Sequence, residues 1–176
     1  QFSELEPGVL WFVVGDVSDK GIPAALFMAR TLTVLEQQAR RHGTPDRILA
    51  AASVRLAENN ETCMFATVLC GRLDVASGRL RLASAGHEPP LLLQPDGTAA
   101  LLAVPAGSPL GFEPSDDFPL YEGVLAAGAT LLGYTDGVTE AFDLEHRAYG
   151  SERLLRVLRV GDNAQAACQR VTQQRA

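Results

Sequence analysis

The chain has 176 residues, of which 47% are hydrophobic and 20% charged, and carries a formal net charge of −6. That length supports one domain with a sizeable core, and the balance excludes an intrinsically disordered chain. The acidic character gives no electrostatic footprint for nucleic acid, and no apolar run approaches the roughly 20 residues that span a bilayer.

The three cysteines, Cys63, Cys70 and Cys168, are odd in number and lack C-x-x-C spacing. This argues against a disulfide framework or a zinc site and fits a reducing cytosol. A short strand-like segment precedes the Pro7-Gly8 turn. Val9 to Val14 is a continuous apolar run and reads as a buried strand. After the Gly15–Gly21 loop, Pro23 suits the first turn of a helix. Apolar residues at Ala25, Met28, Leu32 and Leu35 extend that helix to about Arg41. Thr44 and Pro45 then open a second helix that ends near Glu58.

Beyond the polar break Asn59-Asn60-Glu61 the period becomes that of strands. Met64 to Leu73 and Leu80 to Ala85 flank a hairpin loop over residues 74–78, and Leu91 to Gln94 and Ala99 to Leu102 flank a second at 95–98. Ala103 to Asp117, rich in proline and glycine, reads as a surface loop. Tyr121 to Leu125 and Thr130 to Tyr134 are two further strands. Helical spacing returns with Leu154, Leu155 and Leu158, and again from Ala164 to Val171. Helices and strands that come in runs predict an α+β fold. The expected arrangement is a helix–sheet–sheet–helix sandwich, two antiparallel sheets flanked by helices, in a single domain over residues 1–176.

Two motifs carry chemistry: Gly15-Asp16-Val17-Ser18-Asp19-Lys20-Gly21 and Tyr134-Thr135-Asp136-Gly137-Val138. Each follows an apolar run, so each sets an aspartate where a strand gives way to a loop. Carboxylates on stiff elements suit a hard divalent cation such as Mg²⁺ or Mn²⁺. Glycines at 15 and 21 allow a tight turn that would also present a main-chain carbonyl near Val17. The plainer alternatives are a loop or helix cap for Asp16 and a Thr-Asp-Gly turn for Asp136. Ser18 and Asp19 are better placed than Asp16 to cap the following helix. Lys20, the single lysine, has a solvated loop role as its alternative. Glu140 reads as solvated, and His87 as a hydrogen-bonded histidine at a strand end rather than a general acid. There is no Walker loop, no G-x-S-x-G elbow and no EF-hand.

The segments 15–21 with Pro23-Ala24-Ala25-Leu26, Cys63 to Thr67, Ala85 to Leu91, Gly107-Ser108-Pro109-Leu110-Gly111, Tyr134 to Ala141 and Tyr149 to Leu154 occur in an order that resembles one known family. It is the PP2C-like (PPM) bacterial serine/threonine phosphatases of the SpoIIE/RsbU stress-response type, and the resemblance covers nearly the whole chain. Asp19 and the 59–64 stretch resemble the subgroup usually joined to membrane sensor modules. The resemblance implies metal binding through the carboxylates of Asp16 and Asp136 and the carbonyl of Val17; it assigns no residue to substrate binding. It implies two Mn²⁺ or Mg²⁺ ions about 3.5–4 Å apart, whose bridging hydroxide attacks the phosphorus of a phosphoserine or phosphothreonine. The implied substrate is a phosphorylated anti-sigma-factor antagonist, and the implied setting is cytoplasmic, with a sensor or regulatory domain upstream, either free or as the cytoplasmic part of a membrane-anchored protein.

The family usually carries a Gly-Gly-Asp motif before the position of Phe2 and an Asp-Asp-Ile-Thr strand beyond that of Ala176. The expectation is therefore a domain lacking its first strand or strands and its C-terminal strand, hence a piece of a longer protein. The alternative is a non-catalytic pseudophosphatase that binds a partner in a partner-switching pathway. An unpaired sheet edge would follow from the missing strands, with homodimerisation through that edge as its consequence.

Overall fold

The computed structural model describes residues 1–58, 60–142 and 146–173. The chain forms two compact units: Gln1–His87 with Val104–Val124, and Glu88–Ala103 with Leu125–Ala176.

The first unit is built on a six-stranded sheet. Strands β1 (Phe2–Glu6), β2 (Val9–Val17), β3 (Ala66–Asp74) and β4 (Arg79–Ala85) lie side by side as an antiparallel series. Further along the chain, β8 (Tyr121–Val124) pairs antiparallel with the first half of β4, while β7 (Ala106–Gly107) pairs parallel with its end. The Asp74 carboxylate closes the β3–β4 turn by accepting the N–H and hydroxyl of Ser77, as the turn residues predict. Among the described residues β1 stands at one end of this sheet, and its exposed Glu4 and Glu6 place charge there.

Helices α1 (Ile22–Ala39) and α2 (Pro45–Ala57) pack on each other and on one face of this sheet. That face is formed by Val9, Trp11, Val68, Cys70, Ala83 and Ala85, which meet Phe27, Leu35, Ile48, Leu49 and Leu56 from the helices. Arg30 of α1 donates to the carbonyls of Arg55 and Glu58, which stand unpaired at the end of α2.

The second unit holds a three-stranded antiparallel sheet, in spatial order β6 (Ala99–Leu101), β5 (Leu91–Leu93) and β9 (Thr130–Leu132). It also holds α3 (Asp136–Thr139), α4 (Gly150–Val157) and α5 (Ala164–Gln173). Its core joins Leu91, Leu93, Tyr134, Tyr149, Leu154, Val157, Ala167 and Val171. Among the described residues no helix is long and apolar enough to cross a membrane.

The grouping of helices and strands follows the expectation, with four local differences. β2 continues through Gly15 and Asp16 to Val17, because residues 66–68 pair with it. The buried stripe of α1 is Ala24, Phe27, Thr31, Leu35 and Gln38; it shares Leu35 with the expected stripe, while Ala25, Met28 and Leu32 each lie one residue, or about 100°, away from it. Thr44 occupies the position before α2 but makes no capping hydrogen bond, and its hydroxyl is buried without one.

The fourth difference is the 103–117 segment, which is more than a surface loop. Besides β7 it contributes Leu110, fully buried, whose N–H and C=O exchange hydrogen bonds of 2.9 and 2.8 Å with Ala66. Leu110→Ala should therefore lower unfolding free energy by about 2–5 kcal/mol, the range for emptying a closed core site; urea denaturation measures it.

Cys63 and Cys168 are exposed and Cys70 is buried. Burial, with the Asp46 carboxylate as a smaller contribution, pushes the Cys70 thiol up to about 12. Two thiols should react with a disulfide reagent at pH 8 in the native protein, and the third only after unfolding. Because the folded state holds the Cys70 proton more tightly than the unfolded chain, this contribution to stability is complete below about pH 9. It is lost as pH rises towards 12. Cys70→Ala should flatten that alkaline decline in a urea series.

Candidate metal centre

Asp16 and Val17 are the last two residues of β2, opposite Thr67 and Ala66 of β3. The Asp16 side chain is half-buried, and its Oδ1 accepts the Val17 N–H at 2.8 Å. An ionised carboxylate has about four acceptor positions, so this bond restrains the group while leaving most of its capacity for a cation. Gly15 permits the close strand approach that puts the carboxylate here: a Cβ at this position would stand 2.7 Å from the carbonyl oxygen of Thr67.

The chain then leaves the sheet through a second set of bonds. Ser18 donates its N–H to the Phe65 carbonyl at 2.8 Å, and its Oγ accepts the Phe65 N–H at 3.0 Å. Asp19 has φ 75°, and its carboxylate accepts the Lys20 N–H. Neither Ser18 nor Asp19 caps α1. That position is held by Gly21, which has φ 86° and makes no side-chain capping bond. Lys20 is exposed.

Thr67 faces the same side of the sheet as Asp16, being its direct cross-strand partner. Its Oγ1 lies 2.9 Å from Nδ1 of His87. His87 is buried. Its N–H donates to Ser84 Oγ at 3.1 Å, and the Ser84 hydroxyl lies 3.3 Å from the His87 carbonyl. This is the hydrogen-bonded histidine at a strand end that the sequence suggests. The preceding Gly86 has φ 68° and meets Pro109 where a Cβ would stand 3.0 Å from its ring.

Asp136 belongs to the second unit, where it opens the single-turn helix α3. It is exposed, and its main-chain oxygen accepts the Glu140 N–H at 2.7 Å and the Thr139 hydroxyl at 3.2 Å. Glu140 lies beyond the end of α3 and is exposed.

The donors of Asp16, Val17 and Asp136 are all oxygens, so they fit a hard divalent ion in kind. Among the described residues, no group of three or more His, Cys, Asp or Glu side chains is arranged to hold a metal ion. The partners of Ser18 and Thr67 were not legible in the sequence. Their partners lie across strands or loops, and no local spacing signals them.

The family model described as Stage II sporulation protein E (SpoIIE) matches residues 6–176. Protein IcfG of Synechocystis is 30% identical over 85% of this chain, and phosphoserine phosphatase RsbU of Bacillus subtilis is 30% identical over 72% of it. The matches span only 28% and 38% of those two relatives. Among solved structures, the RsbU and RsbW domains of Rv1364c from Mycobacterium tuberculosis match 85% of this chain and 42% of that one, with 33% identity and a TM-score of 0.72. The PP2C phosphatase domain of SpoIIE from Bacillus subtilis, with a fragment of its regulatory domain, matches 99% of this chain and 52% of that one, with 17% identity and a TM-score of 0.81. The two sheets, antiparallel apart from the short β4–β7 pair, and their helices thus have the PP2C-like fold, and the chain belongs to the SpoIIE family.

Proposed function

We propose that this chain is the catalytic domain of a metal-dependent protein serine/threonine phosphatase. The observation that carries the reading is the family match over residues 6–176, which includes both Asp16 and Asp136. The relative named as a phosphoserine phosphatase supports the substrate chemistry. The substrate in this reading is a phosphoserine or phosphothreonine on a small anti-sigma-factor antagonist, and the longer protein carries a regulatory or sensor domain beside this one.

Asp16, Val17 and Asp136 are the metal ligands in this proposal. Two Mn²⁺ or Mg²⁺ ions, when bound, supply water activation and neutralise the charge gathering on the phosphoryl oxygens. The chain's own part is to hold oxygen donors still. Asp16 and Val17 are adjacent on a strand end, so the backbone sets the spacing between the Asp16 carboxylate and the Val17 carbonyl. The Val17 N–H limits rotation of the Asp16 carboxylate. The bonds from Glu140 and Thr139 fix the main chain of Asp136 and draw on none of its side-chain oxygens. No serine or cysteine nucleophile is required, because water is the attacking group.

A second reading, a pseudophosphatase that binds a phosphoprotein without turnover, is favoured by one observation. The described residues contain no cluster of three candidate metal-ligating side chains. Manganese-dependent hydrolysis of p-nitrophenyl phosphate by the full-length protein separates the two readings, since only the enzyme turns over.

Asp16→Asn and Asp136→Asn should each keep the fold, judged by circular dichroism. Each should reduce metal-dependent turnover more than about 100-fold, beyond the usual cost of losing a group that merely orients a ligand. The double variant should be hardly worse than either single one, because the two act as a unit. Full activity in either single variant removes that residue from the mechanism.

A further inference from the structure

The stretch that leads into β3 is held from two sides. On one side it meets the end of β2: Val17 pairs with Ala66, and Ser18 makes two hydrogen bonds with the main chain of Phe65. On the other side it meets the 107–115 segment. Ala66 and Leu110 exchange two main-chain bonds, and the rings of Phe65 and Phe112 stack with centroids 4.6 Å apart. Gly111, at φ 109°, lies so close that a Cβ would fall 2.5 Å from the Met64 carbonyl oxygen.

One side chain bonds to both of these segments. Asn60 Nδ2 donates to the Met64 carbonyl and to the Gly111 carbonyl, each at 2.7 Å. Both amide hydrogens are used. Asn60 Oδ1 lies 3.3 Å from the Thr62 hydroxyl, which donates to it, and the Asn60 carbonyl accepts the Cys63 N–H. The two carbonyls cannot pair with each other, since both are acceptors; a donor must stand between them. Asn60 is that donor. None of these bonds goes to Asp16 or Val17.

We propose that Asn60 is a positioning residue for the Asp16–Val17 strand end. By bridging Met64 and Gly111 it holds residues 64–66 in the place from which Phe65 and Ala66 fix Ser18 and Val17. The inference rests on the reading of Asp16 and Val17 as metal ligands. Aspartate is nearly isosteric with asparagine but offers no hydrogens, and when ionised it repels both carbonyls. Asn60→Asp therefore removes the bridge with almost no change of volume, and Asn60→Ala removes it without adding charge.

The test uses the full-length protein and three readouts: amide hydrogen exchange, Mn²⁺ affinity followed by electron paramagnetic resonance of the free ion, and thermal stability. Asn60→Asp and Asn60→Ala should speed exchange at Ser18 and Phe65 at least tenfold, leave residues 69–73 unchanged, and weaken Mn²⁺ binding at least tenfold. Val171→Ala, a core truncation in the second unit, supplies a comparison of general destabilisation and should leave exchange at Ser18 and Phe65 and Mn²⁺ affinity as in the parent protein. The proposal is overturned if both Asn60 variants keep parental exchange at Ser18 and Phe65. It is also overturned if they lower the melting temperature while Mn²⁺ affinity stays intact. Asp16→Asn serves as the reference for the underlying reading. If it leaves Mn²⁺ binding unchanged, the metal assignment fails on its own, while exchange at Ser18 and Phe65 still reports whether Asn60 positions the strand end.

Discussion

The antiparallel exchange between Ala66 and Leu110 is the contact on which the end of the first unit that carries Asp16 depends. It fastens a segment more than forty residues downstream to the beginning of β3, while the other edge of the same residue pairs with Val17. Each main-chain bond is worth only about 0.5–1.5 kcal/mol net. What the pair contributes is geometric. With both edges of Ala66 occupied, the strand that carries Asp16 has one available register, and a slip by one residue would turn Asp16 to the opposite face. The glycines of this region serve the same closeness: Gly15, Gly86 and Gly111 each stand where a Cβ would press on a neighbouring backbone or ring.

Much of the fold was legible because its signals are local. The hairpin at 95–98 declares itself through Asp96, whose carboxylate accepts the Thr98 N–H, and the one at 74–78 through Asp74. Helix α4 was legible because Leu154 is fully buried and Leu155 partly so, with Leu158 buried just past its end. In α1 the signal held at Leu35 and misled elsewhere. Its buried face contains Thr31 and Gln38, two polar residues that a hydrophobic pattern discounts. The Thr31 hydroxyl donates to the Phe27 carbonyl four residues back, and so needs no partner outside the helix. The 103–117 segment misled for another reason: its order comes from pairing with Ser84, Ala85 and Ala66, and no nearby sequence predicts a partner at that distance.

At the candidate site the same division holds. Asp16 and Asp136 were visible as acids at the ends of apolar runs, and both stand at element junctions. The supporting groups were not visible. Ser18 resembles a helix cap in sequence but spends both its N–H and its Oγ on Phe65. Thr67 and His87 come together only through the β3–β4 sheet region. The side chains around a ligand are drawn from places that sequence spacing does not connect.

The chain passes between its two units at residues 87–88, 103–104 and 124–125. Neither unit is a contiguous stretch, so neither can be excised as a single gene segment. During synthesis β1 to β4 emerge before β7 and β8, which line the far side of β4 and become available only after residues 88–103 have been made. These strands must therefore wait with the outer side of β4 uncovered, and the delay includes closure of the intervening loop. A nascent β4 edge of this kind is open to pairing with other chains, and the rate at which residues 104–124 follow would set how long that exposure lasts.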